Sequence, residues 1–176
     1  DEGCYDLLAS EARLASLFAI AKGDVPVQHW FRLGRAAIPL RGGSMLVSWS
    51  GSMFEYLMPA LVMEEPAGSL LDQTNRQVVA GQCVYGRRRG IPWGVSESGF
   101  NARDLEMNYQ YSTFGIPGMG LKRGLATDLV VAPYATGLAA MFAPAQAPAT
   151  RADAPASVAA PAALPRSYPP LEPTVR

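Results

Sequence analysis

Apolar residues recur at helical spacing in separate segments of the chain, with long glycine-containing connections between them. No run of alternating apolar and polar residues is long enough to fill a sheet, and only "MNYQYSTF" alternates like a short strand or extended loop. The pattern therefore predicts an all-α fold, mainly helical with long loops. The predicted helical segments are "DLLASEARLASLF", "SMFEYLMPALVM", "SLLDQTNRQVVAGQCVYGRRRG" and "LVVAPYATGLAAMF".

Several residues predict where these helices begin and end. Side-chain oxygens can cap exposed backbone N–H groups, glycine permits the left-handed turn that ends a helix, and proline fits only a first turn. Proline inside a helix interrupts it. On this basis the sequence predicts caps at Asp6 and Ser69, ends at Gly23 and Gly90, an interruption at Pro59 and a first turn at Pro133.

Glu11 falls inside the apolar stripe of the first predicted helix. At about 100° per residue its side chain lies between those of Leu7, Leu14 and Phe18. Burial disfavours the charged form of a carboxyl group, which suits a general acid. The alternative is a core glutamate held by an arginine such as Arg13, Arg32 or Arg35. The same geometry turns Ser10, Arg13 and Ser16 toward solvent.

Composition excludes several classes of function. The chain of 176 residues has 15 lysines and arginines against 15 acidic residues, so no basic field points to nucleic acid. No run of eighteen apolar residues predicts a membrane span. Cys4 and Cys83 lack metal-ligand spacing, and His29 lies far from any candidate nucleophile. The sequence therefore predicts neither a metal site nor a cofactor, and a structural role for His29.

The composition changes near residue 143. From there to residue 176 the chain is mostly alanine and proline, which predicts a disordered tail after a body spanning 1–142. The tail is interpreted either as a linker or as a segment without a role. The first residue is aspartate, and a helix is predicted to follow at once, so we expect a piece of a longer protein.

The segment "RGIPWGVSESGFNARDLEMNYQYSTFG" is the most informative loop for chemistry. Its glycines and proline exclude a regular helix, so Glu97 lies on a loop between small residues that leave it open to a ligand. Sugars stack on aromatic rings and hydrogen-bond to polar groups, and the loop supplies both kinds. The alternative is a loop anchored in the core by its aromatic residues. The residues concerned are Trp93, Phe100, Asn101, Arg103, Asp104, Tyr109, Gln110 and Tyr111.

Glu97 and Glu11 form a candidate pair of carboxylates with different environments, which is the arrangement that glycoside chemistry uses. A separation of about 5–5.5 Å favours retention of configuration, and about 6.5–9.5 Å favours inversion. Glu55, at the edge of the apolar stripe of its helix, is a third carboxylate that is interpreted as a substrate-binding group.

Six motifs resemble the central, glycoamylase-like domain of bacterial cyclic β-1,2-glucan synthases. They are "YDLLASEARLASLFAIAKGDVPVQHWFRLGR", "SWSGSMFEYLMP", "GSLLDQTNRQVV", "GIPWGVSESGFNARD", "YQYSTFGIPGMGLKRGL" and "DLVVAPYATGLAAM". The resemblance implies part of an (α/α)6 barrel over residues 1–142, most of the barrel being absent. It also implies Glu97 as nucleophile and Glu11 as acid/base, with Glu55 and Trp49 completing the substrate-binding set.

The resemblance further implies that linear β-1,2-glucan is closed into a ring by retaining transglycosylation. The expected partners are this glucan and the remaining domains of the synthase, a membrane glycosyltransferase and a phosphorylase-like domain, at the cytoplasmic side of the bacterial inner membrane. Two alternatives stay open: a non-catalytic β-glucan-binding remnant and an endo-β-1,2-glucan hydrolase. Because an incomplete barrel exposes apolar helix faces, the isolated chain is expected to be poorly stable and inactive.

Overall fold

A computed structural model describes residues 6–40 and 43–145. Five α-helices, one 3₁₀ turn and four short strands occupy this part of the chain. The order along the chain is α1 (Ala12–Lys22), α2 (Gln28–Arg32), β1 (Ala37–Leu40), β2 (Gly43–Leu46), α3 (Met53–Leu57), the 3₁₀ turn (Met58–Leu61), α4 (Leu70–Arg89), β3 (Ser98–Arg103), β4 (Tyr109–Ser112) and α5 (Pro133–Ala139). The predicted tail, from residue 146 onward, lies outside the described residues.

The prediction of an all-α fold that forms part of an (α/α)6 barrel is wrong, because the chain is a mixed α/β structure. Two antiparallel hairpins, β1–β2 and β3–β4, form separate two-stranded sheets. The second hairpin changes register between Phe100 and Arg103. The alternation of "MNYQYSTF" indicated β4, whereas β1, β2 and β3 each contain a glycine or a proline and offer too few alternating positions for periodicity to detect.

The first helix begins later than its sequence predicts. Leu7 lies in an extended segment that pairs with Gly34, and Gly34 N–H donates to the carbonyl of Asp6 at 2.8 Å. The helix starts only at Ala12, so Asp6 does not cap it. Leu7 and Leu8 are nevertheless buried, although Leu7 lies in a single bridge and Leu8 in the turn that follows it.

The predicted faces of α1 are reversed at two positions. Arg13, predicted to face solvent, is fully buried, whereas Phe18, predicted to be buried, is 66% exposed. The guanidinium of Arg13 donates to the carbonyl of Tyr56 and to the carboxylate of Glu65, both at 2.7 Å. It also donates to the carbonyl of Glu55 at 3.2 Å. These acceptors come from distant parts of the chain, so a helical wheel cannot anticipate the burial of the arginine.

Other helix signals are confirmed. Ser69 Oγ accepts a hydrogen bond from Asp72 N–H at the start of α4, and Pro133 occupies the first turn of α5. Helix α3 gives way to the 3₁₀ turn next to Pro59. Both glycines predicted to end helices adopt the left-handed conformation, with φ of 80° at Gly23 and 65° at Gly90.

Two buried side chains of the core fix the loops around the site. Tyr56 O–H donates to the carbonyl of Met119 at 2.6 Å and accepts from Ser48 N–H at 2.9 Å, which joins α3 to two loops. On α4, Gln82 Nε2 donates to the carbonyl of Val95 and its Oε1 accepts from the N–H of the same residue, both at 2.8 Å. The segment that leads to Glu97 is thereby held to the longest helix.

Candidate functional site

A cleft of about 380 Å³ opens beside the start of the β3–β4 hairpin. Three aromatic rings and one carboxylate form its walls, together with backbone from the beginning of β3. A volume of this order is suited to a small ligand. The lining residues are Phe54, Glu97, Ser98, Gly99, Tyr111 and Tyr134.

Glu97 lies immediately before β3, as the glycines and proline around it predict. Its N–H donates to Ser52 Oγ at 3.1 Å, and its carbonyl accepts from the hydroxyl of Tyr134 at 2.7 Å. Ser52 is the N-cap residue of α3 and Tyr134 belongs to α5. The backbone of Glu97 is therefore held from both sides by elements that are distant in sequence.

Tyr111 holds the carboxylate of Glu97. It lies opposite Gly99 in the hairpin, where the missing side chain leaves room, and its hydroxyl donates to Glu97 Oε1 at 2.7 Å. Although most of the Tyr111 side chain is exposed, partial burial raises the pKa of its phenol, and so do the hydrogen bond to Glu97 and the negative charge of Glu97. The charge of Glu11 raises the same pKa further. The charges of Glu97 and Glu11 therefore both raise the pKa of this phenol.

Glu11 occupies the N-cap position of α1 and is half-buried. Ser10 Oγ donates to Glu11 Oε2 at 3.4 Å. Arg13, one of the arginines suggested as its partner, instead forms an ion pair with Glu65 at 2.7 Å. Burial lowers the pKa of Arg13, and the charges of Glu65 and Glu11 act in the opposite direction.

The far end of the hairpin carries the exposed polar and aromatic residues that the sequence proposed for sugar binding. Arg103 Nη2 donates to the hydroxyl of Tyr109 at 2.7 Å, and the guanidinium carbon lies 4.3 Å from the centre of the same ring. Asp104 Oδ1 accepts from Asn108 N–H at 2.9 Å and so closes the turn. Tyr109 is 63% exposed, and Asn101 is exposed on β3.

Of the predicted residues, Glu97 and Tyr111 line the cleft, whereas Glu11 and the residues at the far end of the hairpin do not. Four further predicted residues also lie away from its walls. Trp93 lies in the core, where its Cβ packs close to Gly86 of α4. Phe100 packs edge-on against Phe114 with ring centres 5.1 Å apart. Both carboxylate oxygens of Glu55 accept from Ser50 N–H inside the protein. Trp49 is half-buried in a loop, and its backbone carbonyl accepts from Lys122 N–H at 2.7 Å.

Sequence reasoning missed Phe54 and Tyr134, which pack edge-to-face in the wall of the cleft. Their rings are nearly perpendicular, with centres 6.3 Å apart. Both residues belong to motifs that were interpreted only as helical patterns. Their proximity to Glu97 depends on how α3 and α5 pack, which a local pattern does not contain.

Two features are absent from the described residues. No group of three or more histidine, cysteine, aspartate and glutamate side chains in 6–40 and 43–145 could hold a metal ion. No helix in the same ranges is both long enough and apolar enough to cross a membrane.

A carboxylate set among aromatic rings in a sugar-sized cleft is typical of carbohydrate-binding and carbohydrate-processing domains. Comparison with known proteins assigns the family within that class. The family model for glycoamylase, described as putative glucoamylase, matches residues 4–154. The chain therefore belongs to the glycoamylase-like family, as its motifs predict.

The chain is also similar to a much longer enzyme. It is 63% identical over 144 residues to the cyclic β-(1,2)-glucan synthase NdvB of Rhizobium meliloti (strain 1021). The match covers 82% of this chain and 5% of that protein. The chain therefore spans a small part of the length of this relative.

Proposed function

We propose that this chain supplies a cleft that acts on β-1,2-linked glucan, with Glu97 as nucleophile and Glu11 as acid/base. The observation that carries the proposal is the geometry at Tyr111. Its hydroxyl donates to Glu97 Oε1 at 2.7 Å, in the wall of a cleft that three aromatic rings line. A carboxylate held by a hydrogen bond among aromatic rings can serve as the nucleophile of a glycoside-cleaving site, and the half-buried Glu11 is proposed as the second carboxylate.

The proposed reaction retains configuration. Glu97 attacks the anomeric carbon, the glycosidic bond breaks, and Glu11 gives its proton to the departing oxygen directly or through a sugar hydroxyl. The hydroxyl at the non-reducing end of the same glucan then attacks the glycosyl-enzyme and passes its proton to Glu11. The bond to Glu97 breaks, and a ring is formed. Water attacking instead would give hydrolysis.

The aromatic and polar side chains of the hairpin are proposed to bind sugar units beyond the reacting bond. Tyr111 and Tyr109 lie two residues apart on β4 and are both 63% exposed, so their rings are open to the faces of successive sugars. Arg103 is stacked on Tyr109 and offers further N–H donors to sugar hydroxyls. Asn101 and Asp104 extend the same polar surface.

The similarity to the synthase supports a wider proposal about context. We expect this chain to act beside a membrane glycosyltransferase and a phosphorylase-like domain at the cytoplasmic side of the bacterial inner membrane. Residues 1–142 are proposed to form the glycoamylase-like domain, and 143–176 a tail.

Incubation with linear β-1,2-glucan, followed by mass spectrometry of the products, tests the proposed function against the expectation from the sequence that the isolated chain is inactive. We expect products lighter by one water molecule than linear glucans of the same length, because ring closure consumes the free end. Shorter linear chains would show hydrolysis instead. Binding without any product would show a carbohydrate-binding domain and would contradict the proposed chemistry.

A further inference from the structure

Three hydroxyl groups and the backbone N–H and C=O of one residue form a closed set of hydrogen bonds behind the cleft. Ser52 Oγ lies 2.9 Å from Ser96 Oγ, which lies 2.9 Å from the hydroxyl of Tyr134. Tyr134 reaches the carbonyl of Glu97 at 2.7 Å, and Glu97 N–H returns to Ser52 Oγ at 3.1 Å. We call these groups of Ser52, Ser96, Tyr134 and Glu97 the hydroxyl circuit.

The direction of every hydrogen bond in the circuit follows from counting protons. A carbonyl only accepts, so Tyr134 spends its single proton on Glu97. Tyr134 must then accept from Ser96, and Ser96, having spent its own proton, must accept from Ser52. Phe54 N–H fills the remaining acceptor sites, at 3.0 Å from Ser96 Oγ and 3.2 Å from Ser52 Oγ.

The buried hydroxyl groups of the circuit need hydrogen-bond partners, and only one direction of donation satisfies all of them. Ser52 and Ser96 are fully buried, where a polar group without a partner is expensive. If Tyr134 donated to Ser96 instead, it would have no proton left to donate to the Glu97 carbonyl. Hydrogen bonds that run in one direction also polarise and strengthen each other. The circuit therefore fixes the two peptide units on either side of the Cα from which the Glu97 side chain projects.

We propose that Ser52, Ser96 and Tyr134 are positioning residues that aim the Glu97 carboxylate into the cleft through the hydroxyl circuit. The inference rests on the proposed function, in which Glu97 is the nucleophile. Tyr111 then holds the far end of the side chain, at Oε1, while the circuit holds its near end. A nucleophile fixed at both ends reaches the anomeric carbon with less loss of orientational freedom.

The Tyr134→Phe variant tests the circuit by removing one hydroxyl while keeping the ring that packs against Phe54. The substrate is a β-1,2-linked glucobiosyl fluoride of β configuration, and release of fluoride is measured. We expect kcat to fall about 10- to 100-fold with little change in KM, since misplacement of a reacting group costs about this much. Tyr85→Phe, on α4, is the matched control and should keep the parent rate.

Ser96→Ala cuts the same circuit at another point. Because either substitution interrupts the one closed set, the double variant should lose no more than the larger single loss. Effects that multiply would mean that the two hydroxyls act independently, and the circuit would be refuted.

Azide rescue separates positioning from general damage to the cleft. In Glu97→Ala, azide attacks the anomeric carbon, the carbon–fluorine bond breaks and an α-glycosyl azide forms. Adding Tyr134→Phe to this variant should leave the rescued rate unchanged, because no carboxylate remains to be aimed. An equal loss in both backgrounds would overturn the inference. Fluoride release by Glu97→Ala at the parent rate without azide would instead overturn the proposed function.

A titration of Tyr111 tests the hydroxyl circuit without any catalytic turnover. The pKa of Tyr111, followed by its ring resonance as pH rises, lies above its ordinary value because of burial and of Glu97. Tyr134→Phe should lower this pKa, since a carboxylate that moves freely spends less time at the phenol. The same substitution in Glu97→Gln should lower the Tyr111 pKa by less, because only the direct charge of Tyr134 is then removed. An unchanged Tyr111 pKa in Tyr134→Phe would contradict the inference.

Discussion

Glu97→Gln is expected to lower the transglycosylation rate by about 10⁴-fold or more, because removal of a covalent nucleophile has effects of this size. The substitution keeps the shape of the side chain and an oxygen that can accept from Tyr111. It removes the negative charge that attacks the anomeric carbon. The loss should therefore appear in kcat and in kcat/KM alike, as measured by product formation from linear β-1,2-glucan.

Glu106→Gln provides the matched control for this experiment. Glu106 lies in the exposed turn between β3 and β4 and undergoes the same chemical change outside the cleft. We expect this variant to keep the parent rate. Undiminished ring formation by Glu97→Gln would remove Glu97 from the mechanism.

Arg13→Met is expected to lower the free energy of unfolding by about 3–5 kcal/mol, the range for breaking a buried ion pair from one side. The substitution leaves the carboxylate of Glu65, which is only 3% exposed, without its cation. It also removes the donor from the carbonyls of Glu55 and Tyr56, which anchor α1 to α3. Urea denaturation followed by circular dichroism measures the change.

Two further variants make this result specific. Lys22→Met breaks the exposed ion pair with Asp24, whose side chains are 54% and 55% exposed, and should cost about 1 kcal/mol or less. Replacing Glu65 by leucine in the Arg13→Met background should recover part of the loss, since no buried charge is then left unpaired. Equal stabilities of Arg13→Met and Lys22→Met would show that the buried pair does not hold α1.

The candidate nucleophile could be predicted because its surroundings are encoded locally. Glycines and a proline on both sides of Glu97 exclude a helix, and the alternation that follows produced one of the two strands of the hairpin. Capping serine, helix-ending glycine and first-turn proline are local signals as well, and those at Ser69, Gly90 and Pro133 are confirmed.

The features that the sequence did not predict depend on contacts between residues that are distant in the chain. Periodicity places Arg13 on the outer face of its helix, and only acceptors 42 to 52 residues away explain its burial. Tyr134 is 37 residues from Glu97 in the sequence, and Ser52 is 45 residues from it, yet both hydrogen-bond to its backbone. Neither residue therefore belongs to a local motif of the site. The family resemblance correctly predicted the family. Its implied all-α barrel did not anticipate the two hairpins.

Trapping of the glycosyl-enzyme tests the central claim most directly. A β-glycosyl fluoride needs little help from an acid to lose fluoride, so Glu11→Gln should still form the covalent intermediate and then fail to release it. After an acid quench, peptide mass spectrometry should find one glucobiosyl unit attached to Glu97. Attachment to another carboxylate such as Glu55, or fluoride release with no labelled peptide, would contradict the account.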